Sequence, residues 1–211
     1  MDSRGEEEIK KANQLAVELG NLVASKGECP PGDRNTPLIA YWSLAFDHHR
    51  GVLCLLWNKL FGSAFALVRP LVEATVRAHV VVMGSEEDVR KLRNDEYRTN
   101  FGTVGNQIDA FFGTGDWFES FLNRAKNALH SYTHAGLSQL GRRFSGNDVT
   151  PSYSEEEIID LIRTSTIAAF LVTKLVTKHF GFEQEERRCG ELFGEWGKHP
   201  RTSDHRECWG H

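Results

Sequence analysis

The chain has little cysteine, and what it has is scattered: Cys29, Cys54, Cys189 and Cys208 stand far apart along 211 residues. That spacing shows no disulfide framework of the kind that staples small secreted domains. Cys54, inside the apolar run GVLCLLW, reads as a small buried hydrophobe. Long unbroken hydrophobic runs are missing as well. The most apolar stretches are interrupted by Arg69, Glu73, Arg77 or Lys174, which excludes a membrane partner of the spanning kind. The opening MDSRGEEEIKK is acidic and polar rather than signal-like, so a cytoplasmic protein is expected. Nor is there an excess of positive charge. A formal charge of -4 and a pI near 6.1 argue against broad, sequence-independent DNA binding, which needs a basic face. They leave room for a local basic site that holds one phosphate group. Glycine-rich phosphate loops, Ser-His-Asp arrangements and cysteine nucleophile motifs are absent, and no cofactor is expected.

Strand alternation and internal repeats are also absent, whereas helical periodicity runs through most of the chain. Ile9, Ala12, Leu15, Ala16, Leu19, Leu22 and Val23 mark an amphipathic helix over roughly residues 5 to 25. A turn-rich segment, GECPPGDRNTP, separates it from a second helix of about residues 38 to 60, apolar on most sides and therefore central. Phe61-Gly62-Ser63 reads as a stop and restart, Gly62 ending one helix and Ser63 capping the next. Pro70 then sits in the third helix's first turn or kinks it. Ser85 opens a short charged helix reaching about Arg98, and a short helix lies between the glycines of residues 101 to 116. Asp116 is a plausible cap for a long helix that breaks near Gly136 or Gly141. Ser154 and Glu157 form a capping box for a helix reaching about His179. Beyond Gly181 the composition turns charged and Gly-rich. The expectation is an all-α bundle of five to seven helices in one domain over residues 1–181, with residues 182–211 a poorly ordered tail.

Two polar stripes on otherwise apolar helices carry the chemical interest. Arg69, Glu73 and Arg77 share one face of the third helix, and Asn123, Asn127, His130 and His134 share one face of the sixth segment, at spacings of three and four. Burying such groups unpaired costs several kcal/mol, on the order of 2–7 for a polar group and more for a charge. The stripes are therefore expected to face each other, either as a structural lock or as a site.

The segment over residues 62–77, together with that over 129–143, resembles a bacterial family of uncharacterised helical proteins. Its motifs are Gly-Ser-Ala-Phe-Ala-Leu-x-Arg-Pro-x-x-Glu and, later, Ser-Tyr-Thr-His-x-Gly-x-x-Gln-x-x-Arg-Arg. More broadly, Arg124 followed six residues on by His130, with Tyr132 beyond, resembles the signature of the HEPN superfamily. That resemblance implies an all-α, HEPN-like fold, a homodimer, and a metal-independent endoribonuclease of a toxin or defence system, with RNA as substrate and an antitoxin or regulatory partner. The commonest form of the signature has a polar residue directly after the arginine, where this chain has Ala125. A six-residue offset also leaves Arg124 and His130 about 120° apart on a continuous helix.

Cleaving RNA through its own 2′-hydroxyl needs a base, a proton donor and a cation on the phosphate. Histidine suits the first two roles and arginine the third. His134 and His130 are the expected proton carriers, and Arg124, Arg69 and Arg77 the phosphate holders. Glu73 would steady an arginine, Asn123 or Asn127 would orient a histidine or donate to a phosphate oxygen, and Arg142 and Arg143 would extend the anionic path. The alternative is a non-catalytic binding or regulatory module whose stripes form a buried polar network. No metal is expected: the adjacent His48 and His49 diverge on a helix, and Cys189, His199, His205, Cys208 and His211 match no familiar zinc spacing.

Overall fold

The computed structural model describes residues 3–113, 115–133, 136–145 and 148–197, and within them the side chains of all but residues 101, 117, 124–129, 133, 138 and 145. The described residues form an all-α bundle of nine helices. These are α1 (Ser3–Ala24), α2 (Asn35–Trp57), α3 (Phe61–Met83), α4 (Glu86–Arg93), α5 (Phe101–Phe112), α6 (Trp117–Thr133), α7 (Leu137–Gly141), α8 (Glu155–His179) and α9 (Glu183–Gly197). A two-residue antiparallel ribbon, β1 (Phe144–Ser145) with β2 (Asp148–Val149), joins α7 to α8. No described helix is long and apolar enough to cross a membrane.

Each long helix buries the face its periodicity marks. α1 buries Ile9, Ala12, Leu15, Ala16, Leu19 and Val23. α8 buries residues on most sides, from Ile158 to Thr177, because α1, α2, α3 and α9 all pack on it. Its hydroxyls return to its own turns: Thr166 donates to the Ile162 carbonyl and Thr173 to that of Ala169. Both serine capping boxes form, Ser85 with Asp88 on α4 and Ser154 with Glu157 on α8. Arg34 closes the other end of α3, donating to the Val81 and Gly84 carbonyls at 2.6 and 3.0 Å. A cation there meets the negative end of the helix dipole.

Several boundaries differ from expectation. The turn between α2 and α3 is made by Lys59, which has a left-handed φ of 59°, and no side chain caps α3. Gly62 lies inside the first turn of α3 instead of ending α2. Pro70 is consequently well inside the helix, where it removes the donor for the Ala66 carbonyl. The N-terminus of α6 is capped from a different helix: buried Asp109 of α5 accepts from the Phe118 and Glu119 amides, both at 2.9 Å. α5 and α6 approach so closely that a Cβ on Gly105 would stand 2.6 Å from the Glu119 Cα. Glycine is what permits that contact.

Two further readings are corrected. Order does not end at Gly181, because α9 follows and buries Cys189 and Leu192 on the bundle. Phe193 stacks on Phe170 of α8 with ring centroids 3.9 Å apart, so a sparse i, i+3, i+4 apolar set is enough to dock a charged helix. Cys54 is exposed, because it lines an open cleft between α1 and α2 instead of packing in the core.

Candidate functional site: the α3–α6 contact

α3 presents Arg69 and Glu73 one turn apart, and the Arg69 Nε donates to Glu73 Oε1 at 2.8 Å. The carboxylate fixes the guanidinium plane, and a second nitrogen of Arg69 reaches His130 Nδ1 on α6 at 2.9 Å. Arginine only donates, so Nδ1 accepts and the neutral ring carries its proton on Nε2. The cluster is open to solvent. Arg69 and Glu73 side chains keep 25% and 31% of their exposure, and His130 is an exposed residue. The two stripes therefore do meet, at Arg69, Glu73 and His130, and they meet at the surface.

Arg77 does not join them. It stands about 12 Å further along α3 by helical rise, with Nη1 3.7 Å from Asp95 Oδ1. Its Nε is buried without a hydrogen-bond partner among the described residues. Asn123 is exposed and donates to Glu119 on its own helix. The side chains of Arg124 and Asn127, and His134 as a whole, lie outside the described residues.

A second contact lies one to two turns toward the start of α3. Gln139 of α7 donates to the Gly62 carbonyl at 3.2 Å. The Arg143 guanidinium covers the same glycine, and a Cβ there would meet its nitrogen at 2.7 Å. Phe65 is stacked between Tyr132 and Tyr153, with ring centroids 5.0 Å away on each side. Burial raises the Tyr132 hydroxyl, against a hydrogen bond from Arg142, and Arg142 in turn pairs with Glu157. Burial also pushes Tyr153 up to about 12, and its hydroxyl has no partner among the described residues. Gly62, Phe65 and Arg69 of α3 thus dock onto residues 130–143 through a glycine notch, an aromatic sandwich and a histidine. Gln139 and Arg143 stand within the later motif, but Phe65 and Tyr153 carried no polar signal and were not expected as parts of the contact.

The two buried histidines of the bundle, His49 and His79, serve packing. His49 of α2 lies 3.1 Å from Ser165 Oγ of α8, and burial lowers it to about 4, against the Ala12 backbone, which raises it. His79 Nδ1 donates to the Thr75 carbonyl, 2.8 Å away, and burial lowers this ring to about 4 as well. Among the described residues no three His, Cys, Asp or Glu side chains gather as a metal site. Burial pushes the Cys189 thiol up to about 12, so it stays protonated in place. The other four cysteine and histidine residues of the C-terminal set lie outside the described residues.

No curated protein and no solved structure matches the chain. The profile of DUF6988, a family of unknown function, matches residues 42–192, which include α3, α6 and the contact between them, and the chain belongs to that family.

Proposed function

We propose that the chain is a cytoplasmic, HEPN-like, metal-independent endoribonuclease of a toxin or defence system, with the α3–α6 contact as its site. One observation carries the reading: an exposed imidazole, His130, is held through Nδ1 by an arginine that a carboxylate holds in turn. A purely structural lock would bury those groups. In the reaction the ribose 2′-oxygen attacks the adjacent phosphorus, the bond from phosphorus to the 5′-oxygen breaks, and a 2′,3′-cyclic phosphate and a 5′-hydroxyl result. When Arg69 turns from His130 to the substrate phosphate, Nδ1 is free to take a proton from water, and the imidazolium so formed gives its Nε2 proton to the departing 5′-oxygen. His134, four residues on, takes the proton of the 2′-hydroxyl. Arg69 and Arg124 hold the phosphate, and Asn127 orients the histidine pair. The reading includes a homodimer: beside the contact, Leu137, Leu140, Phe144 and Val149 leave large apolar side chains exposed on α7 and the ribbon.

The test is cleavage of total RNA and tRNA by the purified protein in EDTA, beside folded His130→Ala and His134→Ala variants. We expect 2′,3′-cyclic ends and a rate loss of about 10²-fold or more in a variant lacking a proton carrier. Absence of cleavage, or a folded His130→Ala variant that cleaves at the wild-type rate, would return the contact to a non-catalytic role. The Arg69–Glu73 pair and its reach to His130 would then be a clamp between α3 and α6 in a binding module.

A further inference from the structure

A cleft of about 560 Å³ lies between α1 and α2, built from elements that take no part in the α3–α6 contact. Its floor is apolar, with Ile9 and Leu53 both buried. Its walls carry Lys10 and Asn13 from α1 and Asp47, Arg50, Cys54 and Trp57 from α2. Spacings of three, four and three put those four α2 residues on one helical face. Trp57 is 47% exposed, a large indole left standing at the cleft end, and the Lys10 ammonium lies 5.8 Å from its ring centroid.

The cleft's cations differ from the ion-paired arginines of the bundle. Arg34, Arg69, Arg90, Arg93, Arg142 and Arg188 all have carboxylate partners within 4 Å. Arg50 has neither an ion pair nor a hydrogen bond among the described residues, and Lys10 has only the indole. Two cations thus flank a concave, apolar-floored space without a carboxylate on either of them. Arg50 and Trp57 are seven residues apart on α2, about 10 Å along its axis. Asp47 and Asn13 offer hydrogen-bond acceptors at the opposite end from Trp57.

We propose that this cleft binds a planar aromatic ligand carrying an anionic group, of nucleoside monophosphate size. The ring stacks on Trp57, and Arg50 and Lys10 take the anion by charge-assisted hydrogen bonds. The volume falls within the range of about 300–1,000 Å³ typical of small-molecule sites.

Cys54 supplies the readout, since its thiol is exposed inside the cleft, while Cys29 is exposed on the loop before α2 and does not line it. Iodoacetamide labelling of the full chain would be followed at each cysteine by peptide mass spectrometry, with AMP, GMP or indole-3-acetate as probes. At ten times its Kd a bound ligand should slow Cys54 labelling about tenfold by mass action, with Cys29 unaffected. Trp57→Ala and Arg50→Ala, both at exposed positions and checked for helicity, should abolish that protection. Protection by the nucleotides alone would identify the anion as phosphate, and protection by indole-3-acetate would identify an aromatic carboxylate. Unchanged Cys54 labelling with all three probes at millimolar concentration overturns the proposal, as does protection that survives both variants.

Discussion

His79 and His130 lie on neighbouring helices and meet opposite surroundings. His79 is fully buried on α3, donates to its own helix and faces the Phe112 ring edge. His130 stands exposed on α6, its Nδ1 facing a cation. Both positions satisfy helical spacing on apolar segments, so periodicity alone does not separate them. Solvent and partner do. A sealed histidine is a neutral packing element that resists protonation, whereas an exposed one held by an arginine has a fixed tautomer and an accessible ring.

The largest test of that contrast is acid. His49 and His79 have folded values of about 4 against an unfolded value near 6.5, so the unfolded chain takes up protons first. Their contribution is fully present above about pH 6.5 and is lost as the pH falls toward 4, by about 3 kcal/mol for each ring. Urea unfolding at pH 7.5 and 4.5 should show that loss, and a His79→Leu variant should show a flatter dependence. Equal slopes in the two proteins would place His79 with the solvated histidines. Next in size is the seat of His130. Asp109→Ala removes the carboxylate that accepts from two amides of α6, and should cost about 1–2 kcal/mol in the same measurement. An unchanged midpoint would mean that α6 is held by packing alone. The smallest effect should come from His130→Ala itself, within about 0.5 kcal/mol, as for other exposed positions. A loss as large as that of Asp109→Ala would move His130 to the structural side of the comparison.

The sequence was informative where a residue's partners are close along the chain. The apolar faces of α1 and α8 and the boxes at Ser85 and Ser154 are local patterns, and they form as read. Asp109 capping a helix nine residues away, and Gly62 serving as a notch for Arg143, depend on distant approach and leave no periodic trace. α9 was misread for a different reason. Glycine and charge dominated its composition, while Cys189, Leu192 and Phe193 were enough to anchor it. At the candidate site, the expectation that the two stripes face each other rested on the cost of burying them, but Arg69, Glu73 and His130 meet at the surface, where that cost does not arise. Which members would meet was not legible, because it depends on how α6 crosses α3. Arg69 and His130 are brought together, and Arg77 is turned to Asp95.

The burial of Cys189 on the face that α9 turns to the bundle has a consequence of its own. Its thiol is shut off from solvent and held far above the ordinary thiol range, so in the closed molecule it is chemically silent. Any alkylation at that position must wait for α9 to lift from α8. The labelling rate of this one sulfur, divided by that of an unstructured thiol, is then the fraction of time α9 spends undocked, and the protein carries its own clock for the opening of that helix.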